Sequence, residues 1–231
     1  MTVTYHPEVI QGSDEWLALR CGVLTASEMK LILTPTLKIA NNDKERAHLN
    51  ELLAQRINQY VEPHYVGDDM LRGQADEIEA RALYHANVAP VQECGFITNN
   101  RWGFTIGYSP DGLVGKRGLV EFKSRRQKYQ VETICAHHLT GEIPTDYVMQ
   151  CQTGLLVSER EWIDLGSYCG GMPMRVMRVF PDDKVQAAII EASQVFEHRL
   201  AEKLAIYHEA IASAVGGNFP TERRVEMEMF V

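Results

Sequence analysis

The clearest chemistry in the sequence is carried by two acids and a lysine: Ser109-Pro110-Asp111, nine intervening residues, then Glu121-Phe122-Lys123. If 118–122 is a strand, alternation puts Glu121 and Lys123 on one face and sends Phe122 to the other, into core. Pairing with a strand at 102–109 through the Asp111-Gly112 turn region would bring both carboxylates beside the lysine ammonium. Two adjacent carboxylates repel, so the arrangement suits a hard divalent cation between oxygen ligands, Mg2+ or Mn2+. Lys123 would then orient or deprotonate a metal-bound water and offset charge on a pentavalent phosphate. That is the chemistry of phosphodiester hydrolysis. The same string of charges also arises by chance, and surface hairpins often carry one, so the triad alone leaves both readings open.

A polyanionic substrate needs positive charge, and the chain of 231 residues carries a net charge of −8. The average conceals a cluster: residues 115–130 hold six basic residues against one acid. A basic stretch in an acidic chain fits an active groove with a solubilising exterior, and a plain solvated face fits it too. Apolar residues at 45% and charged residues at 23% are ordinary for a globular protein with a sizeable core. They exclude a disordered or fibrous chain. No run approaches 18 apolar residues, and the N-terminus lacks the basic start and apolar run of a secretory signal, so the expectation is a cytoplasmic protein with no membrane partner. The five cysteines are odd in number, scattered and without a CxxC pair, which argues for reduced thiols and against a zinc or iron–sulfur framework. His137-His138 has no second ligand set at suitable spacing and reads as a helix-end pair.

The elements that must position the triad follow from periodicity and caps. Ser13 caps a short helix to Arg20, and the S/T-x-x-E pattern of Thr25 to Glu28 predicts a capping box opening a second helix that Pro35 stops. Helical periods cover 43–60 and about 68–87, so the first 87 residues read as almost entirely helical. The pattern then switches to short β-rich runs at 91–98, 102–109 and 118–122, an antiparallel meander signature. Helices are expected near 127–139 and 145–157, strands at 162–167 and 174–180, and a long amphipathic helix over 182–215. The expectation is a single domain over 1–231 with a helical N-terminal part (11–87), a sheet region (91–180) and a C-terminal helix. The fold class is α/β (α+β), a mixed sheet of about five strands flanked by helices.

Over the chain as a whole, the triad resembles that of the PD-(D/E)xK nuclease superfamily with its restriction-endonuclease-like core. More narrowly, the sequence resembles the lambda phage exonuclease family, the YqaJ-like viral recombinases. QGSDEWLALR (11–20) and GVLTAS (22–27) look like its N-terminal signature, RGQADE (72–77) its G-x-x-x-E helix, and YVMQCQ (147–152) its Q-x-Q helix. These blocks fall in the family order over roughly 11–165. The chain departs from the lambda relative after Lys123, where Ser124-Arg125-Arg126 stands in place of a Cys-Pro pair, and its spacing to Gln150 is slightly longer.

The resemblance implies metal-ligand roles for Asp111 and Glu121, with the backbone carbonyl of Phe122 a third ligand and Glu77 a further acid reaching in from a helix. It implies that Gln152 lines the metal and water site, and that Arg20, Ser27 and Ser109 form a pocket for a terminal 5′-phosphate. Met70 falls where the family has an apolar wedge against the end base pairs, and Arg125 and Arg126 would contact DNA. Read without the family, Glu77 is an exposed helix glutamate, Gln152 a surface amide, Ser27 part of a capping box and Met70 a core methionine. The implied activity is a Mg2+-dependent (Mn2+ substituting) alkaline-type 5′→3′ exonuclease on double-stranded DNA ends, a homotrimeric ring that passes 3′ tails to a single-strand annealing protein. The implied source is a phage or prophage acting in a bacterial cytoplasm. The rival readings are a restriction- or repair-type endonuclease of the same superfamily and a non-catalytic DNA-binding scaffold. The phosphate-pocket residues argue against the first and the intact triad against the second.

Overall fold

The computed structural model describes residues 2–63, 67–213 and 217–223. Its elements run β1 (Val3–His6), α1 (Asp14–Arg20), β2 (Leu24–Thr25), α2 (Met29–Ile32), α3 (Asp43–Asn58), α4 (Asp68–Asn87), β3 (Phe96–Asn99), β4 (Ile106–Tyr108), β5 (Gly112–Val114), β6 (Gly118–Ser124), α5 (Gln127–Thr140), α6 (Thr145–Ser158), β7 (Trp162–Tyr168), β8 (Arg175–Val179) and α7 (Asp183–Ala212). The strands form two mixed four-stranded sheets, ordered β1-β3-β4-β2 and β5-β6-β7-β8. The class is the expected mixed α/β fold with flanking helices and a long C-terminal helix. The strand count is larger than five because three short strands carry no strand-like pattern. β1 precedes the first helix and adds antiparallel to β3, β2 has two residues, and β5 lies inside what reads as turn punctuation.

The meander is accordingly divided. β3 and β4 pair antiparallel, but β4 does not pair with β6: the chain leaves the first sheet at Tyr108, crosses Ser109-Pro110-Asp111, and begins the second sheet as β5. The expected strand at 91–98 is shorter, Phe96–Asn99, with one bridge between Gln92 and Leu113 tying its approach to the second sheet. The capping box also fails. Thr25 belongs to β2, its hydroxyl donates to the Glu28 carboxylate at 2.6 Å, and Glu28 itself occupies the N-cap of α2 without a side-chain cap bond. The other starts are better marked: Ser13, Asn42 and Asp182 each accept backbone N–H groups at the N-termini of α1, α3 and α7. Ala214 and Val215 of the expected C-terminal helix lie outside the described residues.

Packing joins the two sheets. α6 is buried over most of its length because it packs on β3 and β4 of one sheet and β7 of the other. Tyr108 inserts beside it, and a Cβ at Gly154 would stand 2.8 Å from the Tyr108 ring, so this close approach requires glycine. On the opposite face of the second sheet, Ala80 and Tyr84 of α4 cluster with Val120 and Phe122. The Tyr84 hydroxyl donates to Asp164 at 2.6 Å, and Arg178 donates twice to the same buried carboxylate, so Asp164 is fully paired. Among the described residues no helix is long and apolar enough to cross a membrane.

Candidate active site

β6 supplies two of the chemical groups through simple alternation. Val120 and Phe122 face α4, while Glu121 and Lys123 face α6, whose Gln150 reaches the Glu121 carboxylate. Asp111 arrives from the crossing between the sheets, where its Oδ2 accepts the backbone N–H of Phe122 at 2.5 Å. Glu121 is 2% exposed and Asp111 9%. Glu121 is held on both oxygens: Tyr108 Oη donates to Oε2 at 2.8 Å, while Lys123 Nζ (2.8 Å) and Gln150 Nε2 (2.5 Å) donate to Oε1.

The electrostatics follow from this crowding. Burial, then the neighbouring Glu121 and Glu77 charges, push the Asp111 carboxyl well above its usual range despite Lys123 and the Phe122 N–H. Burial pulls the Lys123 ammonium down, but Glu121 and Asp111 together outweigh it and raise it above its ordinary value, so Lys123 is a cation here. Tyr108 is raised by burial and by the same two acids, and Cys151 beneath them by burial and Glu121.

One cavity of about 250 Å³ joins these groups to a second set, Trp16, Arg20, Ser27 and Ser109. Strand pairing explains the juxtaposition: β2 and β4 run parallel with Thr25 opposite Gly107, so the segments leaving both strands, with Ser27 and Ser109, open onto the same cavity. Ser109 Oγ accepts from Trp16 Nε1 at 3.0 Å and Arg20 Nη1 at 3.3 Å, and the Arg20 guanidinium lies 4.3 Å over the Trp16 ring. Burial lowers the Arg20 pKa against the opposing pull of Glu28. The Arg20, Ser27 and Ser109 grouping expected from the sequence is thus adjacent to Asp111, Glu121 and Lys123.

The other expected residues divide. Glu77 does not line the cavity: its carboxylate is bonded to Arg81, and burial, with Glu121, raises its pKa. Among the described residues no three His, Cys, Asp or Glu side chains sit close enough to enclose a metal ion. Gln152 is not at the site. Its amide bridges the Phe180 carbonyl at 2.9 Å and the Asp182 N–H at 2.9 Å, fixing the start of α7, and Gln150 occupies the place expected of it. Met70 is half exposed near the start of α4 rather than packed in core. Arg126 pairs with Asp69 on the surface, and Arg125 turns away from the first cavity to bond Tyr147. His137 is a helix-end residue whose Nδ1 accepts from Arg175.

Trp16, Gln150, Tyr108 and Arg81 join the site without a sequence motif that assigns them to it. In sequence Tyr108 reads only as a strand residue. Arg81 donates from Nε to the Asp111 carbonyl at 3.0 Å, from Nη1 to Glu93 at 2.7 Å and from Nη2 to Glu77. Its signal was its position four residues after Glu77 on one helix.

The fold and the Asp111, Glu121, Lys123 set define a class, an α/β protein with a PD-(D/E)xK-type core. The chain belongs to the YqaJ-like viral recombinase domain family, whose model matches residues 15–161, and that membership implies a nuclease. The fold is similar to that of the alkaline exonuclease LHK-Exo of Laribacter hongkongensis, at 29% identity and a TM-score of 0.75 over 87% of this chain and 98% of that one. The same exonuclease in complex with dAMP gives 30% identity and 0.76 over the same shares. A phage-related exonuclease of Haemophilus somnus 129PT, at 12% identity and 0.58 over 79% of this chain and 96% of its own, shares the fold. No curated protein matches at a significant level.

Proposed function

We propose that the protein is a Mg2+-dependent exonuclease that digests the 5′-ended strand of double-stranded DNA to mononucleotides and leaves 3′ single-stranded tails for annealing-type recombination. The observation that carries this reading is the single cavity shared by Arg20, Ser27 and Ser109 with Asp111, Glu121 and Lys123. A terminal phosphate bound by the Arg20 guanidinium and two hydroxyls leaves the next phosphodiester bond over the carboxylates. An enzyme cutting within a strand has no use for an end pocket there.

The donor set suits Mg2+. Two nearly buried carboxylates face one open cavity with a single lysine to balance them, and Mg2+ typically takes one or two protein carboxylates and fills its shell with water and phosphate oxygens. Asp111 and Glu121 would hold it, with the Phe122 carbonyl as a further oxygen, while Glu77, tied to Arg81, would reach it only through a water; when bound it would activate a water and neutralise phosphate charge. Tyr108 and Gln150 keep Glu121 oriented. Lys123, as a cation, orients the attacking water and offsets charge building on the phosphate oxygens. Trp16 and Arg20 hold the Ser109 hydroxyl toward the end pocket. Met70, exposed at the start of α4, acts as the wedge, and Arg126 contacts the backbone. Action on DNA ends as a trimeric ring with a single-strand annealing protein, in the cytoplasm of a phage-bearing bacterium, completes the reading.

The test is digestion of linear and closed circular duplex DNA with Mg2+, with EDTA, and with the Lys123→Ala variant. Loss of the linear form alone, abolished by EDTA and in the variant, is expected. Cutting of the closed circle points instead to an endonuclease, and binding without cutting to a scaffold.

A further inference from the structure

A second cavity, of about 610 Å³, lies between α5 and α6 and is lined by Arg125, two residues beyond Lys123. Tyr147 contacts one lining residue of each cavity. Lys123 Nζ lies 5.5 Å from its ring centroid, and the Arg125 guanidinium lies 5.4 Å from the same ring and donates to its hydroxyl at 2.7 Å. The alternation continues outward, with Arg125 5.3 Å and Lys128 4.6 Å from the ring of Tyr129, which is itself 42% exposed. Cations interleaved with tyrosine faces make a track suited to nucleotides, since every base has a π-face and every linkage a phosphate.

Arg125 is incompletely used by the protein. Its Nη2 reaches Thr133 only at 3.4 Å, and its buried Nε has no partner. Ile143 and Pro144 add an apolar wall, while Glu132, Glu142 and Asp146 line the remainder. Those three carboxylates oppose a run of phosphates but accept hydrogen bonds from the exocyclic amino groups of a base. The volume is that of a small-ligand site, enough for one nucleotide.

We propose that this groove is a nucleotide subsite, which stacks one unpaired base of the DNA strand against Tyr129 and holds its phosphate beside Arg125. The proposal deepens the exonuclease reading and rests on it. With the 5′-phosphate at Arg20 and the scissile linkage over Asp111 and Glu121, a strand leaving past Lys123 and Tyr147 would bring a nucleotide two to four positions from the end to this groove. Engaging it would hold the duplex on the enzyme equally before and during each cut.

The experiment places 5-iododeoxyuridine singly at the first six positions of a 5′-phosphorylated duplex, with Ca2+ replacing Mg2+ to hold the DNA uncut. After irradiation the crosslinked peptides are mapped, in parallel with Mg2+-driven digestion by wild type, Tyr129→Ala and Tyr129→Phe. A crosslink to residues 127–140 from one of positions two to four, lost in Tyr129→Ala, is expected. Tyr129→Ala should raise KM for duplex about tenfold, the usual scale for one lost base stack, with kcat nearly unchanged, and Tyr129→Phe should restore it. Normal wild-type digestion with no crosslink to this helix, or with KM unchanged in Tyr129→Ala, overturns the subsite, leaves the groove to a protein partner, and leaves the exonuclease reading standing. If wild type digests no DNA, the exonuclease reading fails and the subsite falls with it.

Discussion

Gln150 and Gln152 are two residues apart on α6, and the structure gives them different work. Gln150 donates to the buried Glu121 carboxylate, whereas Gln152 ties the Phe180 carbonyl to the N–H of Asp182, the N-cap of α7. Replacing Gln150 by Leu removes a hydrogen bond to a charged group, worth about 1.5–3 kcal/mol. If that bond holds Glu121 in its working orientation, kcat falls about 10- to 150-fold at 1.36 kcal/mol per decade, with little change in melting temperature. Replacing Gln152 by Leu strands two part-buried backbone groups at a cost of about 2 kcal/mol. For a domain of this size that lowers Tm by roughly 4–8 °C while the folded fraction keeps its kcat. The assay is single-turnover release of nucleotides at saturating duplex, beside calorimetric melting of the same preparations. Loss of turnover in Gln152→Leu with Gln150→Leu unaffected would refute the placement of α6 against β6 on which the site rests.

Further expectations concern charge. Because the folded Asp111 carboxyl is raised, the metal-free fold binds a proton that the unfolded chain releases. That stability is fully present below the ordinary carboxylate range and is lost as pH rises through the raised value. In EDTA, therefore, Tm should fall as pH rises above the ordinary carboxylate range and flatten in Asp111→Asn; equal slopes for the two proteins would contradict this. Adding Mg2+ should raise Tm more at pH 8 than at pH 5, and in wild type only, as read by the same melts. Arg81→Gln should lower kcat about tenfold without raising KM, since Arg81 positions Asp111 and Glu77 and touches no substrate; a pure KM effect in steady-state digestion would count against that role. Arg20→Gln should erase most of the preference for 5′-phosphorylated over 5′-hydroxyl ends, about 10- to 100-fold in kcat/KM, and an unchanged ratio would remove Arg20 from the end pocket.

How far the sequence could be read depended on the length of the signal. α3, α4, α6 and α7 span three or more turns, and caps such as Asn42 and Asp182 mark their starts, so periodicity and local hydrogen bonding agree. β2 and β5 have two and three residues, too few for alternation to register, and both form only because a partner strand is already present. The split into two sheets is set by the crossing at 109–111, a tertiary event that no local pattern encodes. At the site, alternation along β6 sufficed for Glu121 and Lys123. The choice between Gln150 and Gln152 did not follow from type, because residues two apart on a helix face different ways and only the packing of α6 decides which meets the carboxylate. Arg125 was legible as a basic residue near the triad, but its turn into a separate groove depends on Tyr147, which lies 22 residues away.

The central claim is that the Asp111, Glu121, Lys123 cavity hydrolyses the 5′-ended strand from its terminus. The most direct measurement follows a 5′-phosphorylated duplex, with one strand labelled near its 5′ end and the other near its 3′ end, through digestion in Mg2+. The account predicts early release of the 5′ label as a mononucleotide, survival of the 3′ label in a single-stranded tail, and neither event in Lys123→Ala. Early release of the 3′ label, or of oligonucleotides from within either strand, would contradict it.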